Sequence, residues 1–286
     1  MASLCPDDLI RQNIELASLP EIVVRLNQAV DDPYSTAKDI SDIISEDPAL
    51  SARLLRIVNS PFYGFPSQID TISLAVTIVG TQQLRLLALA SSTIRQFANL
   101  PNQFVTMETF WRHSFSTAVV ARAIARLAEE HDSEHYFIAG LLHDLGSLII
   151  YSTIPTLAKE AINHARRKNC PLYEAERAII GFDHAIVGST LLSHWNIPEA
   201  LVEAVACHHQ LGDTGIAGKF KAITHLANVV ADSINPGLLL YRQNLEPDPE
   251  AWKLLGLEAD SLDETLDDIE KEINEAISAF SLHSVA

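Results

Sequence analysis

The chain has 286 residues, 48% of them hydrophobic, and a formal net charge of −17 at pH 7. That length and apolar content suffice for one large domain or two smaller ones, while the acidic balance speaks against a nucleic-acid partner, which selects for a basic face. The start, MASLCPDDLIRQN, lacks the basic stretch and apolar core of a secretory signal, and no apolar run approaches the roughly 18 residues needed to span a bilayer.

The apolar spacing is helical nearly everywhere, and alternating β-branched runs are hard to find, so an all-α fold is expected. LPEIVVRLNQAV reads as a helix closed by DDPYS, and TAKDISDIISED as another with Thr36 placed to cap it. DPALSARLLRIVNS begins just after an Asp-Pro. NSPFYGFP, residues 59 to 66, then breaks the pattern with two prolines and a glycine. It reads as a tight turn with Phe62 and Tyr63 tucked into the core, the alternative being a partner or small-ligand surface. ISLAVTIVGTQQLRLLALASSTIRQF resumes as a helix pair hinged near Gly80, and LPNQFV, 100 to 105, marks the end of a first helical subdomain, 1–105.

A second subdomain, 106–235, opens with TMETFWRHSFSTAVVARAIARLAEEH, where His113 shares a face with Thr117, Val120, Ala121, Ile124 and Ala128. GLLHDLGSLII, residues 140 to 150, is hydrophobic almost all round and reads as a central helix carrying His143 and Asp144. Gly140 and Gly146 flank His143 at three residues on either side and would let other side chains approach that histidine closely. His184 falls in register with Val187, Leu191, Leu192 and Trp195. Pro198 starts a helix whose apolar side continues through Leu201 and Val205 to His208 and His209. In GKFKAITHLANVVADSIN, Asn228 lies at the edge of the stripe made by Phe220, Ile223, Ala227, Val230 and Ile234. The remainder, 236–286, is an acidic extension; from Asn235 onward 12 acidic residues stand against 3 basic ones. Its helix, SLDETLDDIEKEINEAISAF, has Ser261 and Glu264 at capping-box spacing and a narrow apolar face of Leu262, Leu266, Ile269, Ile273 and Ile277, expected to pack on the body of the protein. Cys5, Cys170 and Cys207 are scattered and form neither a disulfide framework nor a CxxC site; reduced thiols in a cytoplasmic protein are expected.

His113, His143, Asp144, His184, His208 and His209 thus all lie on apolar faces or in a buried segment. One such residue alone is ordinarily a core histidine bonded to a backbone carbonyl. Together they are harder to dismiss, because a buried carboxylate costs several kcal/mol unless paired or bound to a cation. Imidazoles with one carboxylate suit a transition metal such as iron, manganese, nickel or zinc. The alternative is a hydrogen-bonded histidine network around Asp144.

These residues in this order, with SLPEIV at 18 to 23, DPALSARLLRIVNSPFYG at 47 to 64, WRHS at 111 to 114, GLLHDLG at 140 to 146, HAIVG at 184 to 188 and CHHQ at 207 to 210, resemble HDOD domains. These are the HD-related output domains of bacterial signalling proteins, kin to the HD and HD-GYP metal-dependent phosphohydrolases. The resemblance runs from about 15 to 232. It implies an HD-like helical bundle for the second subdomain and metal ligands at His113, His143, Asp144, His184, His208 and His209. Active members place a ligand Asp in the helix after the HH pair; here LAN puts Asn228 at that position, with Asp232 one turn later, and the tripeptide GYP is absent. A neutral amide weakens both metal binding and activation of a bound water. Arg112 and Arg122, the basic residues nearest the motifs, fall off the His113 face. The resemblance therefore implies a non-catalytic output module that binds a signalling protein and also has the means to take a metal or a nucleotide. The alternative is a phosphohydrolase acting on a nucleotide or cyclic dinucleotide. No receiver domain is recognisable, so its input is expected from elsewhere.

Overall fold

The computed structural model describes residues 4–13, 16, 18–98, 100, 103–212, 217–234, 246–262 and 265–280. Among these the protein is helical, with no strand. Contacts divide the chain into two units, one of Leu19–Ala98 with Glu270–Ala286 and one of Met1–Ser18 with Asn99–Ile269. Residues 1–18 therefore group with the histidine-bearing part, and the end of the acidic extension groups with the part that begins at Leu19.

The smaller unit is built from α2 (Glu21–Asp31), α3 (Ala37–Ser45), α4 (Pro48–Val58), α5 (Ile72–Val79), α6 (Thr81–Phe97) and the later part of α16 (Leu266–Phe280). Local chemistry sets the helix starts. Thr36 accepts from the Asp39 N–H while the Asp39 carboxylate accepts from the Thr36 N–H, a reciprocal cap. Asp47 accepts from the Ala49 and Leu50 N–H groups, with Pro48 in the first turn where its missing donor costs nothing. Gly80, at φ 94°, separates α5 from α6, which meet at 116°. Leu26, Ile40, Ile44, Leu50, Leu54, Ile57 and Leu84 form the core. In NSPFYG, Phe62 is buried and Tyr63 half-buried. The Asn59 side chain donates to the Leu55 and Ile69 carbonyls and accepts from the Ile69 N–H, which ties the two ends of the turn together.

The acidic helix starts later than its pattern suggests, at Leu266. Its buried face runs through Ile269, Ile273, Ala276 and Phe280, and Leu266, in the first turn, is 38% exposed instead of joining that face. Glu264, the expected capping partner, Pro101 and Asn102 of the LPNQFV segment, and the expected boundary at Asn235–Pro236 lie outside the described residues.

The larger unit centres on α7 (Met107–Leu127), which packs against α8 (Ser133–Leu142) and α14 (Gly218–Ile234). α9 (Leu145–Thr153) packs on α12 (His184–His194), and α13 (Glu199–Ala206) lies between α12 and α14. α1 (Pro6–Gln12) rests on α9 and α12, α10 (Pro155–Lys168) on α11 (Leu172–Ile179), and α15 (Pro249–Leu255) on α14. Two glycines permit the closest approaches. A Cβ on Gly140 would lie 2.7 Å from Ala118 Cα of α7, and one on Gly146 only 2.0 Å from the His184 carbonyl oxygen at the start of α12. These contacts bring the segments carrying His113, His143 and His184 together.

GLLHDLGSLII is not one helix. It breaks at His143–Asp144 into α8 and α9. His143 Nδ1 takes the Gly140 carbonyl at 2.7 Å, a partner the continuing helix would otherwise use. No single described helix is long and apolar enough to cross a membrane; two bent pairs, α5 with α6 and residues 133–153 with α10, reach that length and composition only when taken together. The three cysteines are free.

Candidate metal centre

His113 projects from α7, whose start is fixed by Thr106 accepting from the Thr109 N–H. His143 and Asp144 occupy the break between α8 and α9, so the Asp144 side chain is not spent capping α9. His184 opens α12 just after Asp183, which caps the helix by accepting from the Ile186 N–H. The HH pair does not extend α13, as helical periodicity suggests; the helix ends at Ala206, and His208 and His209 stand in the turn beyond it. That turn is held by His225 of α14, whose Nδ1 meets the His208 carbonyl at 3.0 Å while its Nε2 accepts from the Asp248 N–H at 2.9 Å. Asn228, also on α14, interacts with His113 through its side chain but forms no well-aligned hydrogen bond to Nε2.

The structure brings all seven residues singled out in the sequence into one buried cluster. His113 is 2% exposed, His143 0%, Asp144 6%, His184 1%, His208 0%, His209 7% and Asn228 3%. Asp144 is at its centre. Its Oδ2 lies 3.3 Å from His143 Nε2 and 3.7 Å from His113 Nε2, and its Oδ1 lies 3.3 Å from His184 Nε2 and 3.6 Å from His208 Nε2. His209 Nε2 lies 2.7 Å from His184 Nε2, with its ring stacked on Tyr173 at 4.4 Å. Asp232 belongs to neither ligand group.

The tautomers follow from the outer contacts. A carbonyl can only accept, so His143 Nδ1 donates to Gly140 and His208 Nδ1 donates to Val205, each at 2.7 Å. Whenever such a ring is neutral, its Nε2 presents a bare lone pair to the Asp144 carboxylate, which is also an acceptor. Lone pair facing anion is repulsive unless a proton or a cation lies between. Protons are disfavoured at His208, where burial first and the neighbouring His143 next hold the ring well below its ordinary pKa. Burial lowers His113 to about 4, with His143 adding to the effect, and it lowers His209 strongly as well. Burial alone would push the Asp144 carboxyl up, but His143 and His184 more than offset this and keep it well below the usual carboxylate range. His113, His143 and His208 Nε2, and His209 Nδ1, have no hydrogen-bond partner. A metal cation satisfies these demands at once, so the donor set fits one. Ligand atoms fall into two groups within 4.8 Å, His113 with His143 and Asp144, and His184 with His208 and His209.

Three residues of this site were not found in the sequence. Glu176, 1% exposed, accepts from both the His184 N–H at 2.9 Å and its Nδ1 at 2.6 Å. Its signal was an acid four residues after Leu172, on the buried side of α11. His225, which holds the HH turn, is a histidine on the buried side of α14. Arg177 pairs with Asp183 at 2.6 Å and donates to Gln210 at 2.9 Å, so a basic residue stands beside the motifs after all. Arg122 is engaged elsewhere, with Glu134 at 3.4 Å.

Over residues 16–211 the sequence matches the family model described as HDOD domain. The chain belongs to the HDOD family. A candidate phosphohydrolase from Shewanella amazonensis SB2B is similar over 96% of this chain and 98% of its own, at TM-score 0.73 and 25% identity. An HDOD domain protein of unknown function from Geobacter sulfurreducens shares the fold over 94% and 97% of the two chains, at TM-score 0.71 and 23% identity. An uncharacterized protein of Treponema pallidum (strain Nichols) is 27% identical over 201 residues; the match covers 69% of this chain but only 38% of that relative's length. The all-α fold expected from the sequence is that of these HDOD relatives.

Proposed function

We propose that this HDOD chain is a signalling output module, a body that binds a protein partner and is braced internally by a transition metal, without turnover. The observation that carries the reading is the burial of the centre. Every donor around Asp144 is less than a tenth exposed, which leaves little of the cluster for a nucleotide-sized substrate to touch. Asn228 supports the same reading, because the amide beside His113 brings no charge to balance a second cation. His184, His208 and His209 in one group, and His113, His143 and Asp144 in the other, would hold metal, which would stabilise the fold by neutralising the buried carboxylate and engaging the orphaned nitrogens. A bound ion of this kind can lower the pKa of a water and polarise a phosphoryl oxygen. A solved fold relative from Marinobacter aquaeolei VT8 is described as a candidate signal transduction protein, in line with this reading.

Hydrolysis of a nucleotide or cyclic dinucleotide is the second reading. It is favoured by Asp144, which aims one oxygen at each of the two ligand groups. The test is elemental analysis of protein purified without chelator or affinity metal, followed by a turnover assay on cyclic dinucleotides and nucleotide phosphates with added manganese, iron or nickel. Bound metal without turnover supports the output module. Metal-dependent turnover establishes the hydrolase, and metal-free protein removes the metal from both.

A further inference from the structure

We propose that Glu176 is a positioning residue that makes the His184–His208–His209 group the tighter of the two metal positions. The proposal rests on the metal reading above. Among the described residues the hydrogen bonds of this 1%-exposed carboxylate go to His184 alone. The same oxygen, Oε2, accepts from the backbone N–H and the ring Nδ1 of His184, so it fixes both where α12 begins and how the imidazole is turned. With Nδ1 committed to Glu176, the His184 ring presents Nε2 towards Asp144 Oδ1 and His209. A carboxylate behind a ligating imidazole fixes its tautomer and raises its basicity as a donor.

The nearest cation does not relieve this arrangement. Arg177, next in the chain, turns to Asp183 and Gln210. Two buried carboxylates, Glu176 and Asp144, therefore flank one imidazole, and a cation held by His184 answers both. The other group lacks such backing. His143 Nδ1 donates to a neutral backbone carbonyl, and the fourth corner is the amide of Asn228. Asp144 offers one oxygen to each group, so three imidazoles, one of them backed by a second carboxylate, should outbind two imidazoles beside a neutral amide.

The experiment titrates the chelator-stripped full chain with cobalt(II), reading affinity and the visible absorption that reports the ligand field. Glu176→Gln keeps the size of the side chain and removes its charge. Its expected result is about 10- to 100-fold weaker binding of the first equivalent and a shifted absorption band, with Glu176→Asp intermediate. Glu134→Gln, which removes the Arg122 pair elsewhere in the same unit, should leave both readouts at wild-type values. Unchanged first-ion affinity and spectrum in Glu176→Gln overturn the proposal while leaving the metal reading intact. A lowered melting temperature with an unaltered spectrum also overturns it, because that is a structural role only. Should Glu176→Gln fail to fold by circular dichroism, the same comparison on Glu176→Asp decides. Wild-type protein that binds no cobalt overturns the metal reading, and the proposal with it.

Discussion

His143 Nε2 lies 3.3 Å from Asp144 Oδ2, while the other nitrogen of the same ring donates to the Gly140 carbonyl. Adjacent residues are thus turned so that the remaining ring nitrogen faces a carboxylate, an arrangement that a cation between them satisfies. Protein purified without chelator should hold a transition metal, and removing it should lower the melting temperature. At about 100 times the dissociation constant a ligand adds about 2.7 kcal/mol to stability. A thermal scan with and without chelator measures this, and coincident curves in metal-replete buffer would show that nothing binds.

Asp144→Ala should destabilise the chelator-treated protein as well. His184, whose pKa is held against the effect of burial well above its ordinary value by Glu176 and Asp144, loses the carboxylate 3.3 Å from its Nε2. Stranding such groups costs roughly 1 to 3 kcal/mol. A urea midpoint equal to that of wild type would mean that the centre is solvated.

Much of this geometry was legible in advance, for local reasons. Thr36 and Asp47 announce their helices because caps act within three residues, and Gly80 announces a bend because its backbone must reach positive φ. The buried histidines showed because helical periodicity reports which face is inward. What the sequence hid depends on the third dimension. The break at His143–Asp144 and the turn carrying His208 and His209 interrupt patterns that remain apolar, so periodicity runs through them unaltered. Glu176 reads as one acid among many until His184 is placed against it. The glycines beside His143 were expected to admit side chains; Gly146 admits the backbone of α12 instead.

That last contact makes Gly146→Ala a severe change. The new methyl would lie 2.0 Å from the His184 carbonyl oxygen and 2.5 Å from the Gly188 nitrogen, both backbone atoms that cannot rotate away. Overpacking of this kind costs about 1 to 3 kcal/mol, and the forced shift of α12 moves His184. Lower stability together with weaker metal binding is expected. Lower stability with unchanged metal affinity would show that α12 relaxes without disturbing the ligand.

Acid should weaken the metal-free fold well above the carboxylate range. The unfolded chain protonates its imidazoles near 6.5, whereas burial holds His113 to about 4 and keeps His208 and His209 well below their ordinary value. Each group with a lowered folded pKa costs stability as pH falls from the unfolded value towards the folded one. For one such group the loss reaches about 2 kcal/mol by about pH 5. His184 runs the other way. Burial opposes its charge, but Glu176 and Asp144 raise it well above the ordinary value, so its contribution is complete below 6.5 and fades only as pH rises. Urea midpoints of chelator-treated protein at about pH 7 and about pH 5 should therefore fall with acid; a level or rising midpoint would contradict the burial of the three rings.

Asn228→Asp tests why the protein should be silent as a hydrolase. The amide is 3% exposed and interacts with His113, so a carboxylate there would add a charged donor to the weaker ligand group. Wild type should bind one equivalent tightly and show no metal-dependent cleavage of cyclic dinucleotides or nucleotide phosphates. The variant should bind the second equivalent more tightly and, without metal, should be less stable, since the new charge is buried unpaired. Activity need not return, because the donors stay almost wholly buried. Metal titration of both proteins beside the turnover assay separates the outcomes. Robust turnover by wild type would make the phosphohydrolase reading correct. Unchanged metal affinity in the variant would show that position 228 does not reach the ion, and Asp232, one turn along α14, would be the next residue to replace.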